Sequence, residues 1–330
     1  MTVDPLVTTI IPTYNRGPLV CEAIESVLGQ TYRHVEIVVV DDGSTDDTEA
    51  RLRKFGGSVR VIVQNNAGPS AARNRGIEAA RGTIVAFLDS DDLWQPTKLE
   101  RQVRLLQSVG EAVPCCLCNA SVERPDGRAA TTFQYAGLHP PVREGVWENV
   151  TELLATQFLM FTQMVAIRRT VLERIGGFDE RLWVLEDYDL ALRLSLEGPW
   201  AYVSEPLAVY REKSPGSLAA QGHSDELRLL EHAIRVRQSF YERVLASAHH
   251  QHLRQPCLRG LKAFRRQLRA MELSRGHWAH SVLGRSVLNF DRYRRALYRR
   301  SPWYPRMRVG GSQDESRGVR SRFFENASRF

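Results

Sequence analysis

The chain has 330 residues, 43% of them hydrophobic and 25% charged, a balance that belongs to folded globular proteins and excludes disorder throughout. Its length suits two units, or one large domain with an appendage. The net charge of +7 is unevenly spread: residues 1–225 hold 22 Lys/Arg against 30 Asp/Glu, and residues 226–330 hold 23 against 8. The two parts are therefore expected to meet different partners, and an acidic part that binds a diphosphate needs a cation to help it. The five cysteines are an odd number. Cys115, Cys116 and Cys118 share one apolar run, which reads as buried strand thiols in a reducing compartment rather than a disulfide framework. Met1 to Pro5 lacks the basic and apolar regions of a signal peptide. No apolar run approaches the ~20 residues of a membrane span. A cytoplasmic protein is expected, with at most a peripheral place on the inner face of the cell membrane.

Val7 to Ile11 is a β-branched apolar run, predicted as a buried strand. Pro12-Thr13-Tyr14-Asn15 ends it. A helix follows with Pro18 early and Ala23, Ile24, Val27 and Leu28 on one face. Val35 to Val40 is a second strand buried on both faces, closed by Asp41-Asp42-Gly43-Ser44. A helix from Thr45 to Phe55 and a third strand from Val59 to Val63 come next. Asn65 to Ser70 is a loop by composition. Ser70 is predicted to cap a helix running through Ala80. Thr83 to Leu88 is a fourth strand, and its end carries Asp89-Ser90-Asp91-Asp92. Pro96 opens a helix with Leu99, Val103 and Leu106 in one stripe, ended by Gly110.

This alternation argues for a parallel sheet with helices on both faces, which binds ligands at the carboxyl ends of its strands. Three polar clusters, Thr13 to Asn15, Asp41-Asp42 and Asp89 to Asp92, fall at that rim. After residue 112 the pattern changes. Strands are predicted over Val113–Val122, Ala129–Tyr135, Phe158–Ile167 and Ala201–Tyr210, with a turn at Pro125-Asp126-Gly127. Short helices are predicted over Thr170–Ile175 and Tyr188–Leu196. Ser214 to Ser224 reads as a mobile loop. From Asp225 the chain is helical and arginine-rich, with a polar tail from about residue 310.

Asp89-x-Asp91 places two carboxylates where they repel unless a cation intervenes. Mg²⁺ uses one or two protein carboxylates and completes its shell with water and phosphate oxygens. A strand-end Asx turn is the bland alternative. Asp41-Asp42-Gly43-Ser44 reads as a plain turn or, at this strand end, as one carboxylate that accepts hydrogen bonds from a base or ribose, and Thr13-Tyr14-Asn15 can stack on or bond to a base. Arg73 and Arg75 follow the Gly68-Pro69 loop, where either can pair with phosphate or buttress the acids. Glu186-Asp187-x-Asp189, after Trp183, stands in a first helical turn. Helix-dipole capping explains acids there, and so does a general base for an acceptor hydroxyl.

Taken in order, these motifs resemble the family 2 glycosyltransferases of the GT-A fold. The match runs through Thr8–Asn15, Glu36–Asp46, Asn66–Ile77, Phe87–Asp92, Gly176–Glu180 and Glu186–Leu190, covering roughly residues 6–212. The resemblance implies an α/β fold with a Rossmann-like, mostly parallel nucleotide-binding half over about 1–112 and a mixed acceptor half over 113–225. Residues 226–330 remain as a basic, mainly helical extension. It further implies that Pro12, Tyr14, Asn15, Asp42, Asn66, Arg73 and Asp89 bind the nucleotide sugar. Asp91 with Asp89 would hold Mn²⁺ or Mg²⁺, Asp187 would be the catalytic base, and Glu186 and Trp183 would shape the acceptor site.

The expected reaction is transfer of a sugar, with inversion, from a nucleotide diphosphate sugar to a glycan or lipid-linked acceptor. UDP is the expected nucleotide, and cell-surface polysaccharide or glycolipid assembly the expected setting. The basic extension interleaves aromatics with arginines, which suits an anionic membrane surface and equally a helical bundle with a solvated basic face. No nucleic-acid recognition motif accompanies it, so no nucleic-acid partner is expected. A dehydrogenase would need G-x-G-x-x-G after the first strand, where this chain has Pro12-Thr13-Tyr14-Asn15-Arg16-Gly17. A sugar-nucleotide pyrophosphorylase would need a glycine-rich triphosphate loop, which is missing. A non-catalytic nucleotide-sugar-binding scaffold or sensor is the alternative from another class.

Overall fold

A computed structural model describes residues 4–123, 130–156, 160–182, 184–211 and 226–248, and short stretches from 250 to 266. The chain divides into two units, residues 1–279 and 280–330, the second lying outside the described residues. The expected turn at Pro125–Gly127, the loop Ser214–Ser224, the tail from 310 and Trp183 also fall outside them.

The first half is laid out by its hydrophobic runs. Strands β1 (Val7–Thr13), β2 (Val35–Asp41), β3 (Arg60–Val63) and β4 (Ile84–Phe87) pair in parallel in the order β3-β2-β1-β4. β1 and β4 are buried along their whole length, as strands covered on both faces must be. Helix α1 (Gly17–Leu28) has its proline at the start and buries Val20, Ala23, Ile24 and Val27. Leu28 does not join that face; it is left exposed at the last turn. α2 (Thr48–Leu52) is shorter than expected and passes into a 3₁₀ stretch, Arg53–Ser58.

Helix α3 (Pro69–Ala79) begins after Gly68, whose φ of 92° only glycine adopts readily. Proline, not Ser70, provides the entry. The Ser70 hydroxyl donates to the Leu182 carbonyl (3.1 Å) and so ties α3 to the second half. α3 lies so close to β1 that a Cβ on Gly76 would stand 2.4 Å from Ile10 Cγ2. Helix α4 (Lys98–Val109) buries the expected Leu99, Val103 and Leu106, and also Lys98 and Gln102.

The second half extends the sheet in mixed sense, giving the full order β3-β2-β1-β4-β9-β6-β10-β5. β9 (Val165–Arg168) is antiparallel to both β4 and β6 (Cys115–Glu123). β10 (Trp200–Arg211) runs parallel to β6. Its register shifts between Val203 and Ala208, around Pro206, where a missing N–H is tolerated. On either side of that irregularity β10 takes a different antiparallel neighbour, β8 (Glu144–Trp147) first and β5 (Leu93–Trp94) afterwards.

The expected strand Ala129–Tyr135 is mostly helix. β7 is only Ala130–Thr131, and α5 (Thr132–Tyr135) follows, capped reciprocally by Thr131 and Gln134. The expected strand Phe158–Ile167 reduces to a 3₁₀ turn, Thr162–Met164, leading into β9. Helices α6 (Val150–Thr156), α7 (Arg169–Ile175) and α8 (Glu186–Ser195) complete this half. α9 (Glu226–Ala246) packs on α8 and buries Val236, Phe240 and Val244, one residue per turn. One large core joins both halves, and Cys115, Cys116 and Cys118 are buried, free thiols within it.

Candidate active site

The carboxyl ends of β1, β2 and β4 and the start of α8 supply the polar groups. Two turns at the rim are stitched together. The backbone N–H of Asn15 donates to Ser44 Oγ (2.9 Å), and that of Thr45 donates to Asn15 Oδ1 (2.7 Å). Asn15 takes a φ of 53° to do so, a conformation asparagine tolerates better than most residues. Its amide oxygen is thus engaged in holding the loops. Tyr14 beside it is 46% exposed, a broad face open to a flat ligand. Pro12 is buried within β1.

Asp42 is fixed by its surroundings. Its backbone N–H donates to the Thr13 carbonyl (2.9 Å). Its carboxylate accepts from Gln64 Nε2 (2.7 Å), Ala67 N (2.9 Å) and Gly68 N (2.8 Å). It therefore fastens the loop ahead of α3, in which Asn66 is exposed.

The acids converge on Arg73, which is 5% exposed on α3. One terminal nitrogen donates to Asp89 Oδ1 (2.6 Å) and the other to Glu186 Oε1 (2.9 Å). The Phe178 ring lies 5.3 Å from the guanidinium carbon, and Phe87 meets that ring edge-on. Burial alone would disfavour the charged arginine; the two carboxylates hold its pKa above the ordinary value. Thr162 Oγ1 lies 3.3 Å from Asp89 Oδ2. Arg75, two residues on and so on another face of α3, is exposed and pairs with Glu78 (3.0 Å).

Asp187 follows Glu186 in the first turn of α8. Leu185 just before it has a φ of 64°, a left-handed strain of about 1–2 kcal/mol for a residue of this kind. The Asp187 carboxylate accepts from Tyr188 N (2.7 Å). Its pKa is pushed well above the usual carboxylate range, first by burial and then by the charge of Glu186; Arg73 pulls it down and Asp89 pushes it up. Asp187 keeps part of its surface open although protein surrounds it. Asp187 and Asp89 thus feel one another's charge.

Asp91 pairs with Arg16 (Nη1 to Oδ2, 2.7 Å). Asp92 is 2% exposed and accepts from the Arg211 backbone N–H (2.9 Å). Its pKa is driven up by burial and then by Asp89 and Asp91, so three carboxylates share one small volume. Among the described residues no three metal-type side chains form a ready cage. Asp89 and Asp91, each paired with an arginine, carry two hard oxygen donors of the kind that a Mg²⁺- or Mn²⁺-sized ion would complete with water and phosphate oxygens. The residues fit such an ion.

Sequence reasoning did not identify Arg16, Thr162 or Arg211 at this site. Arg16 directly follows a strand-end cluster, so position alone flags it. Thr162 and Arg211 arrive by the mixed pairing of the second half, for which no local pattern exists.

The family model for glycosyl transferase family 2 matches residues 8–175. Over 57% of its length the chain is 33% identical to RT0329 of Rickettsia typhi, described as an uncharacterized glycosyltransferase, and the match spans 58% of that protein. It is 30% identical, over 68% of its length and 83% of the relative's, to an Escherichia coli protein, the UDP-Glc:alpha-D-GlcNAc-diphosphoundecaprenol beta-1,3-glucosyltransferase WfaP. Among solved structures, Staphylococcus aureus TarS 1-349 in complex with UDP-GlcNAc superposes with a TM-score of 0.61 at 20% identity, covering 76% of this chain and 70% of that one. At that identity the likeness is one of fold.

Proposed function

The chain belongs to glycosyl transferase family 2, and from that membership we propose that it transfers a sugar from a nucleotide diphosphate sugar to an acceptor hydroxyl with inversion. The observation that carries the reading is the Arg73 bridge between Asp89 and Glu186. It ties the acid run at the end of β4 to the acids that open α8, so that a donor and an acceptor have facing sets of charged groups.

In this reading the exposed Tyr14 and the loop fastened by Asp42 receive the nucleotide, UDP being favoured by the donor named for WfaP. Asp91 and Asp89 are the residues that would hold Mn²⁺ or Mg²⁺, whose charge when bound offsets that of the leaving diphosphate. Asp187 takes the proton from the acceptor hydroxyl as its oxygen bonds to the anomeric carbon. The bond to the diphosphate breaks with its electron pair, and one displacement inverts the centre. A carboxyl whose pKa is raised holds that proton better than an ordinary one. Glu186 orients Arg73 and lies beside the acceptor.

The acceptor is assigned as lipid-linked. WfaP is named for a diphosphoundecaprenol-linked acceptor, and the described part of the extension exposes Arg259, Lys262, Arg265 and Arg266 in close succession. Such a cluster suits anionic headgroups at about 1 kcal/mol per residue near the surface. Among the described residues no helix is long and apolar enough to cross a membrane.

The test is a panel of nucleotide sugars with Mn²⁺, reading nucleotide diphosphate release with and without lipid extract. Release that needs both one donor and the lipid fraction supports the reading. Binding of a nucleotide sugar with no release under any condition would instead support a sensor or scaffold.

A further inference from the structure

Ser70, Arg73 and Asn74 are spaced i, i+3 and i+4 on α3, so they share one face of the helix. All three reach the stretch between α7 and α8. Ser70 Oγ donates to the Leu182 carbonyl (3.1 Å), and Arg73 donates to Glu186 (2.9 Å). Asn74 makes three bonds there. Its Nδ2 donates to the Phe178 carbonyl (3.0 Å) and to Glu180 Oε1 (2.8 Å), and its Oδ1 accepts from Phe178 N (2.8 Å). Gly177 lets the two elements come together. Its φ is 61°, and a Cβ there would stand 2.5 Å from Asn74 Oδ1.

Phe178 is buried, so its backbone N–H and carbonyl both need partners. The Asn74 amide supplies both, as a neighbouring strand would; a carboxylate can only accept and an alanine can do neither. The Phe178 ring fixed in this way lies 5.3 Å from the guanidinium carbon of Arg73, the residue just before Asn74. Consecutive residues of α3 thus hold one stretch of chain, Asn74 by its backbone and Arg73 by Glu186 and the ring. The same helix is fastened at its start by Asp42, through Ala67 and Gly68. One helix therefore carries the nucleotide loop at its end and the anchor of the α8 acids on its flank.

Resting on the function proposed above, we propose that Asn74 is a positioning residue for the transfer step. It seats Gly177 to Glu180 on α3, and so sets where Arg73, Glu186 and Asp187 stand relative to the acid run at the end of β4. It takes no part in bond making.

The experiment uses the full chain with Mn²⁺ and the donor found active in the panel. It reads kcat from nucleotide diphosphate release, and UDP affinity and the number of UDP sites from calorimetry. Asn74→Asp keeps the size and one acceptor, but sets a carboxylate against the Phe178 carbonyl and the Glu180 carboxylate. Its kcat is expected to fall about 10–100-fold, the effect of displacing reacting groups by a fraction of an ångström to an ångström, while UDP affinity stays as in wild type. As the pH is lowered, the new carboxyl gains a proton that it can donate to the Phe178 carbonyl, so the kcat ratio of variant to wild type should rise. Asn74→Ala should lose kcat in the same range and show no such recovery. It adds no charge and leaves room for water at a half-buried position, so it carries the test if Asn74→Asp does not fold. Wild-type kcat in either folded variant overturns the inference and leaves the transferase reading standing. A kcat that falls only in step with the number of UDP sites does the same, because it marks a loss of folded protein. No nucleotide diphosphate release by the wild type with any donor removes the function and the inference together.

Discussion

Asp89 and Glu186 sit on the two terminal nitrogens of one buried guanidinium, that of Arg73, at 2.6 and 2.9 Å. A lysine in that place would keep the charge but lose the fork that holds both acids. Arg73→Lys is expected to cut kcat/KM by about 100-fold, as misplacement of a reacting group by an ångström does. Arg73→Met leaves both carboxylates without their partner and should cost about 3–5 kcal/mol of stability, read from urea unfolding. Wild-type kinetics in Arg73→Lys would remove the bridge from the account of the site.

Asp187 is assigned as the base. Asp187→Asn is expected to lower kcat by ~10²–10⁴ while UDP affinity, measured by calorimetry, stays as in wild type. A mutant that loses nucleotide affinity in step with kcat would place Asp187 in the donor site instead.

The pH profile carries a sign. Asp187 must be ionised to accept a proton, and its raised pKa places the acid limb of kcat/KM higher than for an ordinary carboxylate. The negative charge of Glu186 is a cause of that elevation. Glu186→Gln removes the charge while its amide oxygen can still accept from Arg73, so the acid limb should move to lower pH. A limb that stays in place, or moves up, contradicts the assignment.

Lys98 tests the core. It is fully buried, its Nζ donates to Gln102 Oε1 (2.8 Å) and lies 3.8 Å from the centre of the Trp94 ring. Burial pushes its pKa down to about 8, against ~10.4 in an unfolded chain. Between those values the unfolded state binds more protons, so this group's contribution to stability rises with pH. Below pH 8 the full burden of a buried charge is carried. Lys98→Met should therefore be most favourable relative to wild type at pH 7, with the advantage shrinking by pH 10. Urea midpoints at the two pH values read this directly. An advantage that does not change with pH would mean that Lys98 is neutral throughout.

The parallel half of the fold was legible because each strand is a continuous β-branched run and each polar cluster lies at a strand end. Asp89 and Asp91 could be singled out on those grounds, and Asp187 as one of the acids in a first helical turn and by the family resemblance. The mixed half was less legible for identifiable reasons. β5 is two residues long and, among the described residues, pairs only with β10, far along the chain, so it leaves no periodic trace. Thr131 to Gln134 carries the T-x-x-Q cap of a helix, and the β-branched pair at its start disguised it as strand. Of the Phe158–Ile167 run, Met160 and Met164 to Ile167 are buried in the core, and only Val165 to Ile167 are strand among the described residues. Arg16 and Lys98 look like ordinary solvated cations in the sequence; only the packing of β1 against α1 and of α4 against β6 shows otherwise.

The three-way tie at Arg73 also bears on descent. A lineage that changes Arg73 alone leaves two carboxylates without their shared guanidinium, and one that changes either acid removes half of the fork that fixes the other. The trio should accordingly be inherited as a block, with losses in relatives arising jointly, and the correlation between these positions, though they lie in separate stretches of chain, should exceed that between either acid and its immediate sequence neighbours.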